Sequence, residues 1–110
     1  MIFIVAKFSV RPESVDSWHL LTEEFTRATR GEPGCLWFEW SRSLEDPNQF
    51  VLVEAFADSE AGAAHVLSPH FKAAQAALPA HLARTPDIVH VNDSALTGWA
   101  ALGEFAVDDV

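Results

Sequence analysis

The spacing of the apolar residues changes several times along this chain, and those changes constrain its fold more than any single motif does. From Ile2 to Val10 apolar residues recur at every second position, which is the spacing of a strand with one buried face. After Pro12, a residue typical of a helix start, they recur at three- and four-residue steps. These helical apolar residues are Trp18, Leu21, Phe25 and Ala28.

Turn and capping residues divide the rest of the chain. Pro33-Gly34 ends the first helix, and the segment LEDPNQ predicts a turn between two strands. Asp58 or Ser59 can cap one helix and Ser68 the next, with Pro79 as a candidate break. The predicted elements are strand 2–10, helix 12–30, strands 35–41 and 50–57, helices 58–67 and 70–82, and strand 87–92.

The resulting order, β-α-β-β-α-β, is the split β-α-β pattern of a ferredoxin-like α+β fold. In this fold an antiparallel four-stranded sheet carries both helices on one face. The strands are apolar on both sides, so the uncovered face predicts a homodimer that packs sheet on sheet as a dimeric α+β barrel. Space between a sheet and its own helices would form a ligand pocket. We predict Leu36, Phe38 and Trp40 on one face, and Trp37, Leu52 and Phe56 on the other.

Length and charge limit the partners. The 110 residues suit one domain, residues 1–92, followed by a tail, residues 93–110. The tail carries Trp99 and Phe105, so we expect it to pack on the dimer. A formal net charge of −9 would repel a phosphate backbone, which excludes nucleic acid as the main partner.

Cysteine content and hydropathy indicate the compartment. One cysteine allows no internal disulfide, and no apolar run approaches the roughly 18 residues of a membrane span. The first ten residues have strand alternation and lack the basic start of a signal peptide. We therefore expect a cytoplasmic protein with no membrane partner.

The segment GCLWFEWSRSLEDPNQFVLVEAFADSEAGAAHVLSPHF, Gly34 to Phe71, resembles the antibiotic biosynthesis monooxygenase family, which includes quinol monooxygenases. The resemblance lies in Gly-Cys, an aromatic strand, an acidic-Pro-Asn turn, a strand ending in Glu and an aromatic residue, then Ala-His and Ser-Pro-His-Phe. It implies the dimeric α+β barrel. It also implies a cofactor-independent monooxygenase acting on a small aromatic or quinone-like substrate, such as a quinol or a polycyclic phenol.

Individual positions can be compared with the family pattern. His65 stands where the family's helix histidine stands, and Phe56 replaces the Trp often seen after the strand Glu. Ala6 and Lys7 occupy the region of the first-strand Asn, and Gln75 stands where a haem-ligating His would be expected. The last two departures argue against haem degradation, so no cofactor is expected.

His65 is the candidate catalytic residue. Its neighbours Ala61, Ala63 and Ala64 are too small to fill the space around it, and imidazole titrates near neutral pH. As a general base it would take a phenolic proton, so that the electron-rich anion can react with oxygen. The alternative is a structural histidine bonded to a backbone carbonyl.

His70 follows Pro69 and is expected to support the helix start. A five-residue step turns about 500° on a helix, which would place the rings of His65 and His70 on different faces. Neither a His-x-x-x-His motif nor a carboxylate at matching spacing is present. We therefore expect no metal site.

The hairpin glutamates are further candidates. If the turn spans residues 45–48, Glu39 lies opposite Glu54, and their mutual repulsion would raise the pKa of one carboxyl. A register that differs by one residue, or neutralisation by Arg42, Arg84 or a partner-chain cation, is the alternative. The predicted pocket comprises Trp37, Glu39, Leu52, Glu54, Phe56, His70 and Phe71.

The motifs leave a second class of function open. Cys35 has no base spaced to activate it and is predicted to be a small buried hydrophobic residue. No complete catalytic set is present. A non-catalytic dimeric barrel with a binding or stress-related role, or an isomerase of the same fold, is therefore the alternative to the monooxygenase.

Overall fold

A computed structural model describes residues 1–108 and contains one four-stranded antiparallel sheet in the order β2-β3-β1-β4. This order and the element sequence are those of the predicted ferredoxin-like α+β fold, which is confirmed. The strands are β1 Ile2–Ser9, β2 Cys35–Arg42, β3 Gln49–Phe56 and β4 Asp87–Asn92. The helices are α1 Trp18–Leu21, α2 Glu23–Arg30, α3 Ser59–Leu67 and α4 Pro69–Ala77, with 3-10 turns at Pro12–Ser17, Leu78–His81 and Gly103–Phe105.

Side-chain caps define the starts of α3 and α4, as the sequence predicts. The Asp58 carboxylate accepts the Ala61 backbone N–H at 2.9 Å, and the Ser68 hydroxyl accepts that of Phe71 at 3.2 Å. Between the caps, the extended backbone of Ser68 separates α3 from α4. No helix within residues 1–108 is both long and apolar enough to cross a bilayer.

The first helix is shorter than predicted, and its buried stripe is different. The segment 12–30 divides into a 3-10 turn, α1 and α2, and Thr22 joins the two α-helices by donating its hydroxyl to the Trp18 carbonyl at 2.9 Å. A threonine that bonds back to the preceding turn can be buried without an unpaired hydroxyl and often bends the helix. Thr22 is therefore buried, whereas Leu21 is exposed. Thr29 is also buried, although its hydroxyl has no hydrogen-bond partner among the described residues.

The β2–β3 hairpin has a register one residue away from the predicted one. Glu39 lies opposite Val53, and Phe38 lies opposite Glu54, so the predicted Glu39–Glu54 pair is wrong. The turn chemistry explains the shift. The Ser43 hydroxyl accepts the N–H groups of residues 45 and 46, and the Asp46 carboxylate accepts that of residue 48, which extends the loop by one residue.

The shift also redistributes the aromatic residues between the two faces of the sheet. Side chains alternate along a strand, so a one-residue slip moves each of them to the opposite face. Leu52 and Phe56 lie on the same face as Phe38 and Trp40, and Trp37 lies on the other. The predicted grouping of Trp37 with Leu52 and Phe56 is therefore wrong.

The core lies between the sheet and the helices. Trp18 is almost fully buried and packs edge-on against Trp40, with ring centroids 5.8 Å apart, while Phe8 contacts both rings. The Trp40 indole N–H donates to the Thr26 hydroxyl at 3.0 Å, which satisfies its one polar atom. This aromatic cluster fixes α1 and α2 over β1 and β2.

None of the α-helices within residues 1–108 covers the opposite face of the sheet. Val89 and Val91 of β4 are exposed on it, and the indole of Trp99 packs on that of Trp37 at 5.2 Å between ring centroids. One tail residue thus lies against this face. The end of the predicted tail, residues 109 and 110, lies outside the described residues.

We expect Gly34→Ala to destabilise the fold, because a Cβ at Gly34 would lie 2.2 Å from the Cβ of Ala61 on α3. Overpacking of this kind costs about 1–3 kcal/mol of unfolding free energy. Gly103→Ala, with open space around the new methyl group, is the matched control and should unfold at the wild-type urea concentration. Adding Ala61→Gly should recover part of the loss; equal stability of Gly34→Ala and wild type would show that the loop and helix do not approach so closely.

Candidate functional site

A cavity of about 840 Å³ lies between the sheet and helices α3 and α4. This volume is within the range of pockets that hold small organic ligands. Its walls are almost entirely apolar and include Ile4, Leu52, Phe56 and Phe71. Its titratable lining residues are Glu54, His65 and His90.

His65 lies at the inner wall of this cavity and is 4% exposed. Its ring stacks on that of Phe56, with ring centroids 4.7 Å apart, and packs edge-on against that of Phe71, with centroids 5.1 Å apart. These aromatic contacts fix the plane of the imidazole. Its Nδ1 lies 2.8 Å from the Oε2 of Glu32, and its Nε2 lies 3.9 Å from the Oε1 of Glu54. The imidazole therefore lies between two carboxyl groups.

His70 meets the same carboxylate. Its Nε2 lies 2.5 Å from the Oε2 of Glu32, and its ring centroid is 6.2 Å from that of His65. The prediction that the two rings lie on different faces is wrong, because the break between α3 and α4 redirects the chain after Ser68. One oxygen and two nitrogens consequently lie within 4.8 Å of one another, a grouping of three donors that could hold a metal ion.

Glu32 is a site residue that the sequence did not reveal. It lies in the loop between α2 and β2, 33 residues from His65 and 38 from His70, so only the folded chain brings the three together. Its Oε1 is buried without a hydrogen-bond partner among the described residues. The only local signal in the sequence was an acidic residue within the turn-forming segment Gly31-Glu32-Pro33-Gly34.

Glu54 is a buried acid at the cavity wall. Burial, followed by the negative charge of Glu32, raises the pKa of its carboxyl from 4.5 to about 7. The perturbing acid is thus Glu32 and not the predicted Glu39, which lies exposed on the opposite face of the sheet. A carboxyl with such a pKa can hold or release a proton near neutral pH.

Cys35 is half-buried and not fully buried as predicted, and its thiol is unsuited to nucleophilic chemistry, in agreement with the sequence. Burial, with the nearby charges of Glu32 and Glu54, raises the pKa of its thiol to about 11. The thiolate is the reactive form, so the protonated thiol is inert at neutral pH. Its Sγ lies 3.6 Å from the Trp37 carbonyl.

The structure brings together five of the eight residues predicted for the site. Leu52, Glu54, Phe56, His65 and Phe71 all line the cavity. Trp37 and Glu39 lie on the opposite face of the sheet, and His70 contacts the site through Glu32 and does not line the cavity. His90, on β4, was missed; it faces the cavity two strands from Glu54, because both residues lie opposite Ile4.

The topology and the cavity define the class: a small α+β protein with a ferredoxin-like sheet that encloses a ligand-sized space under its helices. The family model for antibiotic biosynthesis monooxygenase matches residues 1–77. The chain belongs to the antibiotic biosynthesis monooxygenase family, as its resemblance predicted. No curated protein matches the chain.

Solved structures agree with this assignment. The chain is similar to an antibiotic biosynthesis monooxygenase whose crystal structure superposes with a TM-score of 0.77 at 28% identity, covering 84% of this chain and 98% of that one. It is also similar to a conserved protein from Methanosarcina mazei Go1, with a TM-score of 0.79, 28% identity, and coverage of 84% and 92%. A Mycobacterium tuberculosis protein gives a TM-score of 0.77 at 25% identity, with coverage of 86% and 98%.

We expect Glu54→Gln to stabilise the protein at pH 8 more than at pH 5. The pKa of the Glu54 carboxyl is higher in the folded state than in the unfolded chain. The unfolding free energy of the wild-type protein therefore falls as pH rises from 4.5 to about 7, because the folded state must then bury a charge. The loss amounts to at most about 3 kcal/mol. Urea unfolding of both proteins at the two pH values, with EDTA present, measures the difference.

Glu39→Gln is the matched control, because that carboxylate is exposed on the opposite face of the sheet. It should change the unfolding free energy by the same amount at pH 5 and pH 8. A pH-independent effect of Glu54→Gln would contradict the raised pKa.

Proposed function

We propose that this protein is a cofactor-independent monooxygenase that oxidises a quinol or polycyclic phenol in the cavity, with His65 as general base. The observation that carries the proposal is the position of the His65 ring between the Glu32 carboxylate and an apolar cavity of ligand size. Membership of the antibiotic biosynthesis monooxygenase family agrees with this reaction class.

The contact with Glu32 supports a base role by selecting the tautomer of His65. An ionised carboxylate only accepts hydrogen bonds, so the Nδ1 that lies 2.8 Å from it carries the ring proton. The neutral ring then has its lone pair on Nε2, on the side of Glu54 and the cavity. The gap of 3.9 Å between Nε2 and the Glu54 Oε1 is too long for a direct hydrogen bond. A substrate hydroxyl can therefore approach Nε2.

The proposed chemistry requires no separate reductant. His65 Nε2 accepts the proton of a phenolic hydroxyl, and the resulting anion donates electrons to O2. A quinol supplies all four electrons: one oxygen atom enters the ring as a hydroxyl group, and the other leaves as water with two protons, giving a hydroxyquinone. The raised pKa of Glu54, about 7, fits a group that returns a proton to the departing oxygen.

The cavity walls favour an aromatic substrate over a charged one. Phe25, Phe56 and Phe71 line the space together with aliphatic side chains, and two carboxyl groups lie at or behind the histidine. Flat aromatic rings gain apolar burial there, whereas an anionic substrate would be repelled. We therefore propose a neutral quinol or polycyclic phenol.

We expect His65→Ala to lower oxygen uptake by about 10²-fold or more, the usual effect of losing a general base. Uptake would be followed with an oxygen electrode for a panel of reduced naphthoquinones and polycyclic phenols, in EDTA and with the uncatalysed rate subtracted. His19→Ala, which removes an exposed histidine that does not line the cavity, is the matched control and should keep the wild-type rate.

Equal uptake by wild type and His65→Ala would eliminate the base assignment. Conversion of a substrate without oxygen uptake would identify an isomerase. Binding of the panel without conversion would identify the non-catalytic alternative.

We also propose that the uncovered sheet face forms a homodimer, with the tail residues 93–108 contributing to the contact. Val89 and Val91 are exposed there, and Trp99 extends the aromatic surface of Trp37. Exposed apolar surface of this kind is typical of a protein interface. A second copy of the same face would cover it symmetrically.

Light scattering should give about 24 kDa at micromolar concentration, twice the 12.1 kDa of one chain. Val89→Lys should yield monomers, because a charge would be buried in the interface. Leu20→Lys on the helical side is matched in exposure, 63% against 65%, and should remain dimeric. A wild-type mass of 12 kDa would contradict the dimer.

A further inference from the structure

We propose that Glu32, His65 and His70 form a binding site for a divalent transition-metal ion of the zinc type. The donors would be a carboxylate oxygen of Glu32, Nδ1 of His65 and Nε2 of His70. This inference goes beyond the proposed oxygenation, since it concerns the side of the His65 ring that faces away from the cavity.

The spacing of the donors is close to that of a metal site. The three atoms lie within 4.8 Å of one another, and the Glu32 oxygen lies 2.8 Å and 2.5 Å from the two nitrogens. Around a tetrahedral zinc ion with bonds of about 2.1 Å, donor atoms are about 3.4 Å apart. The two hydrogen-bonded separations are shorter than this by less than about an ångström, so the donors would have to move apart slightly to admit an ion, with water as the fourth ligand.

Charge is the second argument. Within residues 1–108, the ion-pair contacts of Glu32 and Glu54 are with histidines alone, and no Lys or Arg nitrogen lies within 4.0 Å of either carboxyl. Glu32 is 13% exposed, and its Oε1 has no hydrogen-bond partner among the described residues. Buried carboxylates are normally paired or coordinate a metal. A dication would supply the missing charge and a partner for Oε1.

The surroundings of the donors resemble those of protein metal sites. A ligating histidine commonly directs its other ring nitrogen at a carboxyl group, and the Nε2 of His65 faces Glu54. His70 is 21% exposed, which gives an ion a route from solvent. Two imidazoles and one carboxylate favour zinc, iron, nickel or copper over magnesium and calcium, which prefer oxygen donors.

Metal binding and the base role compete for the same ring. A metal on Nδ1 leaves the ring proton on Nε2, so the bound ion would make His65 a donor toward the cavity. For this reason oxygen uptake is assayed in EDTA and metal binding is measured without substrate. Failure of one proposal therefore leaves the other intact.

The test is calorimetric titration of untagged, chelator-stripped wild-type protein with zinc chloride at pH 7.5. We expect one ion per chain and no comparable binding of Mg²⁺. Co²⁺ should give the visible absorption of a tetrahedral site. Absence of stoichiometric Zn²⁺ binding would overturn the proposal and leave Glu32 as a hydrogen-bond acceptor for two histidines.

Variants locate the ion. Glu32→Gln and His70→Gln should each weaken Zn²⁺ binding by more than the 10- to 100-fold that loss of an outer-shell partner costs. His19→Gln and Cys35→Ser are the controls and should bind as wild type, the second because the thiol is not a proposed ligand. Wild-type affinity in both ligand variants, or loss only in Cys35→Ser, would refute the site.

Proton NMR of the imidazoles in the wild-type protein tests which histidines bind Zn²⁺, even if a ligand variant folds poorly. Zn²⁺ should shift the ring signals of His65 and His70 and leave those of His19 unchanged. Shifts confined to other histidines would place the ion elsewhere and refute the assignment.

Discussion

The arrangement of the site depends on the contact of the Glu32 carboxylate with two histidines. One of its oxygens contacts both His65 of α3 and His70 of α4, and its backbone belongs to the loop that leads from α2 into β2. Hydrogen bonds to a charged group contribute about 1.5–3 kcal/mol each when buried. The carboxylate therefore fixes the orientation of the two helices after their break and determines which nitrogen of His65 faces the cavity.

The close approach of the same loop to α3 makes this contact possible. Gly34 follows Glu32 by two residues, and any side chain there would overlap Ala61. Without that proximity, a glutamate side chain in the loop could not reach the His65 ring, one turn further along the helix. The small residues around His65, which suggested an open pocket in the sequence, thus also admit the loop that brings Glu32 to the ring.

The sequence predicted those parts of the structure that local chemistry determines. Strand β4 has its predicted bounds, and the caps Asp58 and Ser68 start the two helices as expected. The predicted hairpin register is wrong, because the register depends on which of several polar turn residues accepts the backbone N–H groups. The acceptor is Ser43, which lies before the predicted turn. One residue of error was enough to assign Trp37 and Glu39 to the wrong face.

The site was predictable only in part for a related reason. Strand alternation predicted Leu52, Glu54 and Phe56, and the family resemblance predicted His65. Glu32, by contrast, reaches the site through contacts with residues more than 30 positions away in sequence. Helical geometry placed the two histidines apart, but Pro69 and the extended Ser68 redirect the chain between them. A helix break thus changed both the partner of His70 and the chemistry available to the site.

The two nitrogens of His65 connect two regions that would otherwise be independent. Nδ1 faces a polar cluster of Glu32 and His70, and Nε2 faces Glu54 and an apolar cavity. A neutral imidazole has one proton to distribute between its nitrogens, so whatever binds Nδ1 decides whether Nε2 accepts or donates. An acceptor at Nδ1 makes the cavity side basic, whereas a cation at Nδ1 makes it a donor. The polar cluster thus bears on which nitrogen of a neutral His65 ring carries the proton, although neither Glu32 nor His70 lines the cavity.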